Sequence, residues 1–371
     1  MKILITGSDG FIAKNLILRL KELKQDEVLL FSKKNQISDL EKLVQQSDFI
    51  FHLAGSNRPQ DPSEFKTVNT ELTESLVQLI QKQNKPIPII FTSSTQAEQN
   101  NPYGQSKKNA EDILLSSKLD GSVLIYRLPN VFGKWCRPNY NSVVATFCYN
   151  ILNELPVKVN DPSLVMNLVY VDDVISEFMK KIELARSYSE KLNTEFCRIS
   201  TEYQITVGEL LNQIQAIHTS RKSTVTEPVG TGIVRALHAT YLSHMRPEQF
   251  SYDLIRHADP RGVFVEFLKT KDSGQFSFFT AHPGITRGGH YHHTKTEKFL
   301  VLQGTALFKF RNVITDEYFE KTVTAAESKI IETVPGWSHD LTNTGDSELI
   351  VMLWANEIFD RENPDTIGHR V

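Results

Sequence analysis

Short apolar runs separated by amphipathic stretches fill the first two thirds of the chain. The runs KILIT (2–6), EVLLF (27–31), FIFHLAG (49–55), PIIFTSS (88–94) and VLIYRLP (123–129) show little polar alternation. Such runs read as strands buried on both faces of a parallel sheet. Between them apolar positions return at helical spacing, over Phe11–Leu23 and residues 68–83. Strand and helix in alternation to about residue 245 predict a doubly wound α/β sheet that binds ligands at the carboxyl ends of its strands. From about Phe250 the pattern changes. GVFVEFLK (262–269), QFSFFTA (275–281), EKFLVLQ (297–303), TALFKFRN (305–312) and ELIVMLWA (348–355) follow closely, punctuated by Gly, Pro, Asn and Asp. Long helices are absent from this part, so an all-β jelly-roll barrel is predicted. Two domains are expected, 1–245 and 246–371.

Composition narrows the setting without naming a function. The 371 residues are 40% hydrophobic and 23% charged, as in ordinary globular proteins. A net charge of −3 gives no support to a nucleic-acid partner or an anionic membrane. Three cysteines, Cys136, Cys148 and Cys197, form no CxxC pair, which fits a reduced compartment. The N-terminus starts a strand at once and no apolar run reaches spanning length, so a cytoplasmic protein with no membrane partner is expected.

The first chemistry lies in TGSDGFIAKNL. Gly7 permits a tight turn after the strand, and Gly10 lets backbone approach a pyrophosphate where the helix opens at Phe11 and Ile12. After the second strand an NAD site carries an acid that accepts from the ribose 2′-hydroxyl. Here LLFSKKN supplies Ser32, Lys33 and Lys34 instead, which suits the 2′-phosphate of NADPH.

A second constellation follows in FTSSTQAEQNNPYGQSK. Asn101 can cap a helix that Pro102 opens, placing Tyr103 and Lys107 one turn apart on one face. A phenol that must protonate a carbonyl oxygen needs a nearby ammonium to stabilise its anion. Ser94, at the preceding strand end, can orient that oxygen. With the TGxxGxxA loop, FHLAG (51–55), Val68–Asn69, YRLPNVFG (126–133) and YVDDV (170–174), this set resembles the extended short-chain dehydrogenase/reductases, Rossmann-type enzymes acting largely on nucleotide sugars. The resemblance covers about 245 residues. It implies that Ser94, Tyr103 and Lys107 are catalytic, that Asp48, Leu53, Ala54 and Asn69 serve the cofactor, and that Asn130 faces substrate. Ala13 replaces a common glycine, and no arginine precedes YVDDV, so Arg137 becomes the candidate for a substrate diphosphate. Trp135 and Tyr140 either pack in the core or stack on a base.

The far end carries GITRGGHYHHTKTEKFLVLQG (284–304) and VPGWSHDLTN (334–343). The spacing of Gly284, His290, His292, Glu297 and Gly304 is that of the first cupin motif. Pro335, Gly336, His339 and Asn343 give most of the second. Alternation along a strand turns His290 and His292 inward, and with Glu297 and His339 they form a candidate set for a divalent metal. Zinc is the default for a role without redox. DPRGVFVEF (259–267) with ITRGGHYH (285–292) resembles the 3,5-epimerase branch of cupins, which acts on 4-keto sugar nucleotides. That branch implies a substrate role for Arg287 and an enolate contact for Lys298, and its histidine base falls on His290, which the metal motif also claims. As a whole the chain is similar to the bifunctional reductase/epimerases of capsular polysaccharide synthesis in the UDP-N-acetyl-L-fucosamine pathway. This implies a UDP-sugar substrate, C3 epimerisation, NADPH-dependent C4 reduction and a homodimer. The alternative is a 4-ketohexose reductase whose barrel only dimerises or binds ligand.

Overall fold

The computed structural model describes residues 1–83, 85–187 and 192–371. They divide into two compact units, Met1–Ile214 with Arg235–Met245, and Gln215–Val234 with Arg246–Val371. No helix among the described residues is long and apolar enough to cross a membrane.

In the first unit strands and helices alternate as β1 (Lys2–Thr6), α1 (Phe11–Leu23), β2 (Glu27–Phe31), α2 (Ile37–Gln46), β3 (Phe49–His52), α3 (Leu72–Gln81), β4 (Ile89–Ser94), α4 (Pro102–Ser116) and β5 (Val123–Leu128). There follow β6 (Asn130–Phe132), α5 (Val143–Leu152), β7 (Val165–Tyr170), α6 (Val171–Ser187), β8 (Glu195–Cys197) and β9 (Tyr203–Thr206). Six strands pair in parallel in the order β2-β1-β3-β4-β5-β8. The strand order reverses beside β1, which opens a crevice at the carboxyl ends of β1 and β3. β3 and β4 are buried at every position, the signature of strands covered on both faces. The expected helix over 68–83 forms in two parts, a π-helical stretch Phe65–Glu71 and then α3. β6, β7 and β9 make a separate small sheet, hidden from the sequence by its short strands.

Next come α7 (Val207–Ser223), β10 (Val225–Thr226) and α8 (Gly232–Ser243). The strands of the second unit are β11 (Arg256–Asp259), β12 (Gly262–Thr270), β13 (Gly274–Ala281), β14 (Thr286–Tyr291), β15 (Glu297–Gln303) and β16 (Thr305–Asn312). Then follow β17 (Tyr318–Thr324), β18 (Ile330–Glu332), β19 (Trp337–Asn343), β20 (Leu349–Ala355) and β21 (Ile367–Gly368). One sheet runs β10-β12-β13-β20-β15-β18 with β11 beside β12, and the other β17-β16-β19-β14-β21. Residues 215–234 join this unit, and β10 pairs with β12 there. Alternate residues point between the sheets. Phe279, Phe299, Phe308, Phe310, Leu341 and Val351 form the core, each contributing roughly 1.5–3 kcal/mol by burial.

A bulge in β14 sets the site in this unit. Arg287 lies opposite Leu341, Gly288 opposite Asp340, and His290 opposite His339, leaving Gly289 as an extra residue. Three residues apart, Arg287 and His290 would face opposite ways on a regular strand. The extra residue restores both to the inner face. Gly288 and Gly289 have φ of 104° and 82°, values that suit glycine.

Candidate functional site

The crevice of the first unit is a cavity of about 1000 Å³. Gly7 has φ of 67° and lies so close to the segment after β3 that an added Cβ would fall 2.6 Å from Ala54 Cα. The turn therefore requires glycine. α1 opens at Gly10 with no side-chain cap and no acid in its first turn, so its free N–H groups and positive dipole end are available to an anion. Gly7, Gly10, Phe11, Ile12, Leu53, Ala54, Ser32 and Lys33 all line the cavity. Asn35 orders the second turn by accepting from Ser32 N at 2.8 Å, a contact that only the folded turn reveals. These residues fit a dinucleotide.

Ser94, Tyr103 and Lys107 line the same cavity. Asn101 Oδ1 accepts from Gly104 N at 2.8 Å and Pro102 opens α4, so Tyr103 and Lys107 share a face as the spacing predicts. Burial raises the Tyr103 phenol above its ordinary range, and the neighbouring Ser94 hydroxyl opposes that rise. Lys107 is buried. Its Nζ donates to Thr92 O at 2.8 Å and lies 4.8 Å from the centre of the Phe91 ring. Burial pulls its pKa down to about 8, against the attraction of Glu111 one turn along α4. Asn130 and Arg137 also face the cavity, Arg137 with its guanidinium 5.4 Å from the Tyr140 ring. Trp135 is not a core residue; it is 47% exposed and joins the cavity wall with Tyr140.

Two expected cofactor residues stand elsewhere. Asp48 precedes β3 at its amino end, where its carboxylate accepts from Lys2 N at 2.8 Å and pairs with Lys85. A strand that delivers Leu53 to the crevice holds Asp48 about 16 Å back along its axis. Asn69 is buried behind the cavity wall. Its Oδ1 accepts from Ser56 N at 2.8 Å and its Nδ2 donates to Ser106 Oγ at 2.9 Å, bracing the loop after β3 against α4.

In the second unit His290, His292, Glu297 and His339 bring one ligand atom each within 4.8 Å of one another. Glu297 Oε2 lies 3.3 Å from His292 Nε2 and 3.4 Å from His339 Nε2. His339 Nε2 is buried without a hydrogen-bond partner among the described residues, an orphan that a cation would satisfy. Burial opposes ionisation of Glu297, yet His292, His339 and Lys295 hold its carboxyl far below the usual range. Burial and His339 push His290 down to about 4, leaving it neutral and able to ligate near neutral pH. The donor set fits a divalent ion, with zinc compatible.

Arg287 projects inward over Phe279, 5.2 Å from the ring centre, and its Nε and Nη2 are buried without hydrogen-bond partners among the described residues. Lys298 is not brought to the cluster. Glu297 is buried, so its strand neighbour turns outward, where Lys298 pairs with Glu332 at 2.9 Å over Trp354. The buried ammonium of this site is Lys295, 3.2 Å from Glu297 Oε1. The sequence offered it only as one lysine of a loop.

Comparison with known proteins agrees with this geometry. Residues 3–191 match the NAD dependent epimerase/dehydratase family, and residues 257–367 the polysaccharide biosynthesis C-terminal domain. A UDP-2-acetamido-2,6-beta-L-arabino-hexul-4-ose reductase of Pseudomonas aeruginosa is 53% identical over 368 residues, 99% of this chain and 98% of that protein. The crystal structure of the capsular polysaccharide assembling protein CapF from Staphylococcus aureus superposes with a TM-score of 0.91 at 37% identity, over the full length of both chains. A UDP-glucuronic acid 4-epimerase from Bacillus cereus shares the fold of the first part, with a TM-score of 0.56 at 19% identity over 66% of this chain and 98% of its own. The chain therefore belongs to the NAD dependent epimerase/dehydratase family and carries a polysaccharide biosynthesis C-terminal domain at its far end.

Proposed function

We propose that this chain is a bifunctional sugar-nucleotide enzyme of capsule synthesis, with a reductase in residues 1–245 and an epimerase in 246–371. Its substrate is a UDP-2-acetamido-2,6-dideoxy-4-hexulose. The barrel inverts C3, and the first domain reduces the C4 ketone to give UDP-2-acetamido-2,6-dideoxy-L-talose. The reading includes NADPH as reductant, zinc in the cluster, and a cytoplasmic homodimer. The observation that carries it is the Ser94, Tyr103 and Lys107 set in the dinucleotide crevice; the histidine and glutamate cluster supports the second step. The Pseudomonas relative, a reductase of a UDP-linked hexul-4-ose by its name, supports the substrate class.

In the reduction Tyr103 gives its phenolic proton to the C4 oxygen, and Ser94 hydrogen-bonds that oxygen to fix its position. Lys107 stabilises the phenolate left behind. NADPH, when bound, supplies the hydride, and Ser32 and Lys33 offer donors for its 2′-phosphate. In the epimerisation the C4 ketone acidifies the C3 hydrogen, whose removal and return on the other face invert the centre. The cluster of His290, His292, Glu297 and His339 would hold a metal that contributes positive charge. Arg287 offers its Nε and Nη2 donors to anionic oxygen within the barrel.

One incubation tests this. The protein, NADPH and the 4-keto sugar nucleotide are combined in deuterated water and followed by NMR. The expected product carries deuterium at C3 and a hydroxyl at C4. Reduction without deuterium would leave a reductase with a non-catalytic barrel, and no turnover overturns the reading.

A further inference from the structure

We propose that the carboxyl-terminal residues 365–369 form a positioning strap that sets the geometry of the metal cluster. This rests on the reading that the four side chains bind a divalent ion. The strap touches the cluster through its supports. β21 pairs with β14 so that Gly368 lies opposite His290 and Ile367 opposite Tyr291. His369 N donates to Gly289 O at 2.9 Å, and Ser338 Oγ, beside His339, donates to His369 O at 2.6 Å. Backbone neighbours of two ligands are thereby tied to one short segment.

Asp365 acts on the other two. Its carbonyl oxygen is bonded to His292 Nδ1. An imidazole that gives its Nδ1–H to a carbonyl keeps the lone pair on Nε2, the atom facing Glu297. The Asp365 carboxylate then accepts from three successive amides, His293 N at 2.9 Å, Thr294 N at 2.7 Å and Lys295 N at 2.9 Å, and from Thr294 Oγ1 at 3.1 Å. This clasp shapes the turn that sends Lys295 to Glu297. Lys295 takes Oε1, so Oε2 remains as the atom turned to the histidines. One residue near the end of the chain thus selects the ligating atoms of both His292 and Glu297.

The test compares full-length protein with Asp365→Ala, Asp365→Asn and a variant ending at Pro364, using Asp360→Ala as a control outside the strap. Zinc affinity is measured by competition with a chromogenic chelator, and ligand geometry by the visible spectrum of the cobalt-substituted protein. The expected result for Asp365→Ala and the truncation is zinc binding weaker by about 10–100-fold with an altered cobalt spectrum. Asp365→Asn, which keeps one side-chain carbonyl acceptor, should fall between Asp365→Ala and full length. NADPH binding, read by fluorescence, should stay unchanged in all of them. Full zinc affinity and an unaltered spectrum in Asp365→Ala overturn the strap while leaving the cluster intact, and the same holds for a melting loss with unchanged affinity. Should the full-length protein take up no zinc or cobalt, the metal reading itself fails and the strap with it.

Discussion

At the residue scale the first site turns on where two protons sit. Burial keeps the Tyr103 phenol protonated, and in the proposed reaction Lys107 is the charge that stabilises the phenolate. Tyr103→Phe removes only the proton donor. It should slow ketone reduction by about 10²–10⁴-fold while NADPH binding, followed by fluorescence, is retained. The buried ammonium also predicts a pH limb. Lys107 is charged below about pH 8 and neutral above it, so kcat should fall as pH rises through that value. Steady-state rates at saturating substrate report this limb. A rate still flat well above that pH would exclude Lys107 from the role. Side-chain identity made this set legible, because tyrosine and lysine one helical turn apart after a capping asparagine leave few alternatives. Lys298 shows the limit of identity: it suits the chemistry, but strand alternation turns it outward to Glu332.

Elements decide what identity alone does not. Asp48 and Leu53 flank the two ends of β3, and only the strand's direction tells that one end reaches the crevice and the other does not. Asn69 falls in a π-helical stretch that the apolar spacing does not announce, and its amide braces the loop after β3 against α4. The β14 bulge shows the same limit. In GITRGGHYH a strict alternation would put Arg287 and His290 on opposite faces, and the doubled glycine is the only trace of the extra residue. Deleting Gly289 therefore carries a sharp expectation. It leaves Arg287 and His290 only two residues apart, opposite Leu341 and His339 as before, so a regular strand still turns Arg287, His290 and His292 to the inner face. Zinc content, measured by atomic absorption, should stay near one equivalent. Zinc at background in this variant would show that the bulge does more than keep these side chains on one face.

On the proposed function, the whole molecule joins two kinds of site whose demands on a 4-keto sugar differ. A cluster inside a barrel can acidify and invert the carbon beside the ketone, but that change alone is a reversible exchange between similar ketones. Reduction by NADPH removes the ketone and with it the acidity of C3, so the hydride step traps whichever epimer it accepts. Variants in each unit should divide the two reactions. His290→Asn and His339→Asn each remove one imidazole while leaving the barrel core of Phe279, Phe299 and Phe308 untouched. They should abolish deuterium uptake at C3 and leave reduction of a ketone already inverted at C3 at its full rate. Tyr103→Phe should do the reverse, exchanging C3 without consuming NADPH. NMR in deuterated water reports exchange, and absorbance of the reduced nicotinamide reports reduction. Loss of both activities in every variant would mean that the two sites do not act separately. C3 exchange persisting after either histidine is lost would leave the barrel without the epimerase role given to it, and the Tyr103 site would stand as a reductase alone.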